Sequence, residues 1–303
     1  MHWIKQMVAA SLVMAALGAA APAVAAGLVE NGLLAPSPTL GHPIKFSVYR
    51  PFPAPDGGNG ERWPVVYLLH GLTGQGADWF SWGNLGPILD RALADGKLGP
   101  MLVVAPDGGD SWYVDDPDPK SSGLVETAFA TDLIAYIDKT YPTAACRTGR
   151  VIGGLSMGGY GAIREGIDHP ELFAAIIGMS PAVHPPLVAN DPRVGWIRNL
   201  FTGVFGKPFD AARFNAANPF TMVKRLRAVK DKPPFYLTIG DHDHADLIEA
   251  TVAFHGALRN VGADSTLRIG AGRHYWDTWQ QAIVPALQWA SLRLDPSCGR
   301  PPH

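Results

Sequence analysis

Apolar residues in this chain come in short unbroken blocks set far apart. They are Ile44–Val48, Val65–Leu69 (VVYLL), Met101–Ala105 (MLVVA), Val151–Gly154, Ala174–Met179 (AAIIGM), Phe235–Gly240 (FYLTIG) and Thr266–Ile269. Each block has strand length, and apolar residues on consecutive positions mean a strand covered on both faces. Between most of them the period lengthens to that of a helix, most clearly over Val125–Tyr141, Ala245–Val261 and Asp277–Leu292. In Ala245–Val261 the positions Leu247, Ile248, Val252 and Leu258 form the expected buried stripe. Strands alternating with helices predict an α/β domain, with a mostly parallel central sheet flanked by helices on both faces. One stretch, 182–232, breaks the alternation. It is rich in Pro, Asn and Arg and carries apolar pieces such as Trp196-Ile197 and Leu200–Phe205. It reads as an insertion over the C-terminal edge of the sheet, where open α/β sheets bind ligands.

The first 26 residues follow a different pattern. After His2 and Lys5, Met7–Ala21 is an apolar run of about 15 residues, ending in the small-x-small sequence Ala23-Val24-Ala25-Ala26. The run is shorter than the roughly 20 residues that span a bilayer. It predicts a secretory signal cleaved near Ala25/Ala26, leaving residues 27–303 as one catalytic domain in the periplasm or outside the cell. No Cys stands at the cleavage point, which argues against lipid attachment there.

Composition narrows the picture. Of 303 residues, 47% are hydrophobic and 17% charged, enough apolar surface for a sizeable core. The net charge of −2 gives no basic excess for nucleic acid or an anionic membrane, so neither is expected as a partner. The two cysteines, Cys146 and Cys298, lie in the exported part, where an oxidising compartment makes a disulfide between them reasonable.

Candidate chemistry begins at Gly154-Leu155-Ser156-Met157-Gly158, a G-x-S-x-G sequence between a strand and a small-residue helix start. A nucleophilic Ser there needs a tight, strained turn that lifts its Oγ above the sheet. Side chains two residues before and after would clash, hence Gly. The following helix aims its N-terminus at the site, favouring developing negative charge. A Ser hydroxyl also needs a base. His274, after the last strand in Gly272-Arg273-His274-Tyr275-Trp276, is the candidate. The orienting acid should follow Phe235–Gly240, where Asp241, Asp243 and Asp246 compete. Asp246 falls in the first turn of a helix, where an acid is stabilising in any case. Geometry alone leaves Asp241 and Asp243 open. His242 and His244 between these acids invite a metal reading, but no further His or Cys joins the cluster in sequence, so no metal and no cofactor is expected.

The loop His70-Gly71-Leu72-Thr73-Gly74 follows VVYLL. It is positioned to offer a backbone N–H, taken as that of Leu72, to an oxyanion, with Met157 N–H as the second donor and His70 orienting the loop. Aromatic candidates for the pocket are Trp79, Trp82, Trp112, Tyr113, Trp276 and the Trp196–Phe205 stretch, although core packing is the commoner fate of such residues. Glu126 could help to position substrate, or simply serve as a helix N-terminal acid.

The stretches PVVYLLHGLTG, GLSMGGYGA, HPELFAA, FGKP, NPF and GRHYWDTW together resemble the esterase family of α/β-hydrolases. That family includes esterase D (S-formylglutathione hydrolase), feruloyl and acetylxylan esterases and the antigen 85 mycolyltransferases. The resemblance runs from about Lys45 to Leu292 and implies the α/β-hydrolase fold and a serine carboxylesterase acting on small-molecule or glycan-linked esters. The family's G-x-x-D turn falls on Gly240–Asp243 and implies Asp243 as the acid. Its H-x-W-x-x-W element falls on His274, Trp276 and Trp279. The mycolyltransferases carry Asp where this chain has His70, which favours hydrolysis over acyl transfer. S-formylglutathione hydrolases are cytosolic and often carry a Cys in that loop, which this chain lacks. An acyltransferase with the same triad, and a binding protein on a hydrolase scaffold, are the competing readings.

Overall fold

The computed structural model describes residues 26–52, 62–116, 118, 122–201, 203–295 and 297–298. The cleaved signal expected over the first 26 residues therefore lies, apart from Ala26, outside the described residues. The strands are β1 (Leu28–Ala35), β2 (Ile44–Arg50), β3 (Val65–Leu69), β4 (Leu102–Pro106), β5 (Arg150–Leu155), β6 (Ala175–Met179), β7 (Phe235–Gly240) and β8 (Ser265–Gly270). They form one sheet in the order β1-β2-β4-β3-β5-β6-β7-β8. Pairing is parallel from β4 through β8, whereas β2 runs antiparallel to β4 and β1 antiparallel to β2. β1 escaped the sequence pattern for a physical reason. It is a half-exposed edge strand whose LVENGLLA sequence contains an irregularity between Glu30 and Leu33, with Gly32 at φ 73°.

The unbroken apolar blocks are explained by two cores. Val65, Tyr67, Leu69, Leu102, Val104, Ile152, Ile176, Phe235, Leu237 and Ile239 point to one face. There they meet Met157, Tyr160 and Ile163 of helix Met157–Asp168 and Phe254 and Leu258 of helix Ala245–Asn260. Val66, Leu68, Val103, Val151, Ala175, Ile177 and Tyr236 point to the other face. They meet Leu85 and Leu89 of helix Leu85–Ala94 and Trp279, Ile283 and Leu287 of helix Trp276–Ser291. Successive strand residues alternate faces, so both faces must be apolar, and each fully buried large side chain contributes roughly 1.5–3 kcal/mol. The helix predicted over Val125–Tyr141 forms as Val125–Ala128 and Ile134–Thr140, joined through a wider π-type turn at Phe129–Leu133. In Ala245–Asn260 the buried stripe is Leu247, Ala250, Thr251, Phe254 and Leu258. Val252, expected on it, is 43% exposed, because it stands five residues after Leu247 and so about 140° around the helix axis from it.

Between β6 and β7, the stretch read as an insertion contains helices Val194–Leu200, Ala211–Ala216 and Pro219–Met222. Two are capped by side chains, Asp210 accepting from Ala212 and Arg213 N–H, and Asn218 from Phe220 N–H. Phe201, Phe205, Phe209 and Phe214 pack together there, and Phe201 seats the stretch on Trp112 and Tyr160. A disulfide joins Cys146, just ahead of β5, to Cys298, with Cα atoms 6.2 Å apart. Among the described residues no helix is long and apolar enough to cross a membrane.

Candidate active site

Ser156 lies between β5 and helix Met157–Asp168, at the C-terminal edge of the sheet. Its backbone sits at φ 53°, ψ −118°, a region that side-chain-bearing residues seldom occupy. The turn is fastened on both sides. Ser156 N–H donates to Met179 C=O, and Ser156 C=O accepts from Tyr160 and Ala182 N–H. The flanking glycines are required by contact. A Cβ on Gly154 would stand 2.3 Å from Gly158 backbone atoms, and one on Gly158 would stand 2.2 Å from Leu69 O.

His274 reaches the turn from the loop after β8, with Nε2 2.9 Å from Ser156 Oγ. Its Nδ1 is 2.9 Å from Asp243 Oδ1. An ionised carboxylate only accepts, so Nδ1 carries the proton and donates to Asp243, while Nε2 accepts from the Ser156 hydroxyl. Burial alone would raise the Asp243 pKa. The hydrogen bond with His274, the nearness of the Ser180 hydroxyl, the charge of His274 and the His244 N–H outweigh it and hold the carboxyl below its ordinary range. The side chain is fully enclosed.

The other two acids have different tasks. Asp241 accepts from Gly272 N–H at 3.0 Å and thereby pins the loop that carries His274. Asp246 stands in the first turn of Ala245–Asn260, with His184 3.9 Å away. Asp243, His244 and His274 each bring one ligand atom within 4.8 Å of the others, but two of the three already bond to each other in the Ser156–His274–Asp243 chain.

Beside Ser156 the loop His70–Gly74 is braced by the segment after β4. His70 is buried, with Nδ1 2.8 Å from Gly71 O and Nε2 accepting from Gly108 N–H at 2.9 Å. Burial lowers its pKa, so the ring is neutral with its proton on Nδ1. Tyr113 OH donates to His70 O at 3.0 Å, and Asp110 accepts from Thr73 N–H at 2.7 Å, holding Thr73 at φ 62°. Leu72 lies on this loop against the groove. Met157 is the first residue of its helix, so its N–H has no intrahelical acceptor. Neither Asp110 nor Tyr113 carries a motif signal as a brace, because the contact joins segments about 40 residues apart.

The groove over Ser156 has a volume of about 620 Å³ and is walled by His70–Gly74, Asp78, Trp82, Leu155, His274, Tyr275, Trp276 and Trp279. Of the aromatics expected to line it, Trp276 does, and Trp82 stands 66% exposed at its rim. Trp79 and Trp112 do not. Trp79 is buried behind Trp276 with ring centroids 5.5 Å apart, and Trp112 is buried beneath the insertion, 3.8 Å from Phe201. Both sit in gaps that only large apolar rings fill, so packing claims them. Tyr113 is likewise fully buried. No described residue of 182–232 walls the groove; that stretch borders a separate cavity with Asp110 and Asp116. Glu126 is buried against Arg164, with an Oε2–Nη2 distance of 2.6 Å, and takes no part in the groove.

A strained Ser on a strand-to-helix turn, a His after the last strand and an Asp after the one before it define a serine hydrolase of the α/β-hydrolase class. The profile of the family described as "Putative esterase" matches residues 37–290. The chain belongs to that family and is an ester-hydrolysing enzyme. It is 28% identical over 240 residues to an acetyl esterase of Caldicellulosiruptor saccharolyticus, covering 78% of this chain and 86% of that one. It is 32% identical over 174 residues to an endo-1,4-beta-xylanase/feruloyl esterase of Xylanibacter ruminicola, covering 57% of this chain and 22% of that longer protein. A solved ferulic acid esterase superposes with a TM-score of 0.71 at 24% identity, covering 89% of this chain and 99% of the other, which establishes the shared fold.

Proposed function

We propose that the protein is an exported serine carboxylesterase acting on small-molecule or glycan-linked esters. The observation that carries this reading is the continuous chain Ser156 Oγ–His274 Nε2 and His274 Nδ1–Asp243, at 2.9 Å for each link, opening into the groove. Ser156 attacks the ester carbonyl as His274 takes its proton. Asp243 keeps the imidazole in the accepting tautomer and stabilises the cation that forms. The Leu72 and Met157 N–H groups receive the carbonyl oxygen as it becomes negative. His274 then protonates the departing alcohol, and water, activated the same way, cleaves the acyl-enzyme. The acetyl esterase and feruloyl esterase relatives support short acyl or aromatic acyl esters as substrates. The Cys146–Cys298 bond supports an oxidising, exported setting. The first 26 residues support the same setting as a signal cut near Ala25/Ala26, which N-terminal sequencing of secreted protein checks.

The test uses residues 27–303 with p-nitrophenyl acetate, butyrate and octanoate beside methyl ferulate. Ser156→Ala is expected to lower kcat by about 10⁴-fold or more. Full activity in that variant would overturn the mechanism. Transfer to an added alcohol exceeding hydrolysis at low acceptor concentration would make the protein an acyltransferase instead.

A further inference from the structure

Trp279 is tied to the site at two points. Its indole packs edge-to-face on His274, ring centroids 5.1 Å apart at 88°, and its Nε1–H donates to Ser180 Oγ at 3.1 Å inside the protein. Ser180 itself is buried, just beyond β6, with its backbone at φ 42°. An indole N–H can only donate, so Ser180 Oγ accepts from it and must direct its own proton elsewhere. The adjoining acceptor is the Asp243 carboxylate. Oδ1 of that group already takes His274 and the His244 N–H, while Oδ2 is buried with its capacity not taken up.

We infer that Ser180 and Trp279 are positioning residues for the proposed hydrolysis: Trp279 fixes the Ser180 hydroxyl, which donates to Asp243 Oδ2 and holds that carboxylate in the orientation His274 needs. This rests on the reading of Ser156, His274 and Asp243 as a triad. The order of donation is Trp279 to Ser180, Ser180 to Asp243, His274 to Asp243, and Ser156 to His274. Neither Ser180 nor Trp279 touches the reacting atoms. Their effect is to divide the Asp243 charge between two donors, so that it does not fall wholly on His274. The charge left to face the imidazole sets how strongly His274 holds a proton.

Ser180→Gly removes the hydroxyl at a backbone position that glycine occupies without strain. Trp279→Phe keeps a ring against His274 and removes the N–H. Both are expected to keep a cooperative thermal transition and to lower kcat by about ten- to a hundredfold, the range for one hydrogen bond to a charged group. In Ser180→Gly the KM for p-nitrophenyl acetate should change less than about threefold, because Ser180 is not among the residues that wall the groove. With less of its charge dispersed, Asp243 pulls harder on the His274 proton, so the acid limb of kcat/KM should move to higher pH. His244 stands 5.2 Å from His274, so the profile is repeated on His244→Gln as a control for that second ring. The links act in series, so the double variant should be no slower than the slower single one.

Full activity in Ser180→Gly, losses that multiply in the double variant, or an acid limb that stays in place would overturn the inference. Ser156→Ala, assayed alongside, separates the two failures. If it abolishes hydrolysis while Ser180→Gly runs at the full rate, only the positioning network fails. If hydrolysis survives it, the triad reading fails as well. The rate of fluorophosphonate labelling of Ser156 gives the same comparison independently of any ester.

Discussion

At Ser156 the backbone holds a conformation that only a fully determined surrounding maintains, and Gly154 and Gly158 are part of that surrounding. Gly158→Ala would drive a Cβ to within 2.2 Å of Leu69 O and force the helix start off β3. A loss of about 3 kcal/mol or more in urea unfolding is expected, with ester hydrolysis abolished. Gly256, inside helix Ala245–Asn260, has nothing within 4 Å of where its Cβ would be, so Gly256→Ala should instead stabilise by about 0.5–1 kcal/mol. The residues whose chemistry lives in a local motif were therefore legible. Ser156 announced itself through its glycines, and His274 through its place after the last strand. Asp243 over Asp241 was not decidable from local pattern, because the choice depends on the β7–β8 loop contact at Gly272, which no sequence period encodes. The sequence marked Trp79 and Trp112 as pocket candidates because aromatic residues near a motif look alike whether they face solvent or core.

At the scale of elements, the helix Met157–Asp168, which starts just after Ser156, carries buried charged residues. Arg164 and Glu165 are both buried; Arg164 bonds Glu126, while both oxygens of Glu165 have no hydrogen-bond partner. Burial and the Glu126 charge push the Glu165 pKa well above the ordinary carboxyl range, so the native protein keeps it protonated among Tyr67, Leu69, Phe129, Ile152 and Phe173. Above about pH 4.5 the unfolded chain releases that proton and the native chain does not, so stability must fall as pH rises towards the native value. Glu165→Gln should flatten this slope, which can reach about 1.4 kcal/mol per pH unit, in urea unfolding at pH 5 and pH 8. A slope unchanged in the variant would assign the proton elsewhere. Sequence pattern did not show that Arg164 and Glu165 are buried in this helix, because Arg and Glu read as solvent-facing in any pattern of hydrophobicity. The edge strand β1 escaped for the complementary reason: half-exposed and interrupted at Gly32, it carries neither an apolar block nor a clean alternation.

Over the whole molecule, the parallel core strands were legible because burial on both faces writes itself as consecutive apolar residues, whereas strand order, set by crossovers and helix packing, leaves no such trace. The stretch 182–232 lies between β6 and β7, and its Phe201 packs on Trp112 and Tyr160 rather than over the groove. The Cys146–Cys298 bond spans 152 residues. Cys146→Ser with Cys298→Ser, compared with the oxidised protein in urea, should lose about 2–5 kcal/mol, the range for long loops.

That bond also has a mechanical meaning. β5 runs about 20 Å from near Cys146 to the foot of Ser156, and helix Trp276–Ser291 runs about 24 Å back from beside His274 towards Cys298. Ser156 and His274 thus stand at the free tips of two struts whose far ends are riveted together, helped by Asp295 N–H on Thr148 C=O. Without the rivet, helix and strand could slide past each other, and a slip of one ångström at the tips would open a 2.9 Å contact that the sheet itself would survive. On warming, the reduced protein should therefore fall silent as a catalyst while it still looks folded.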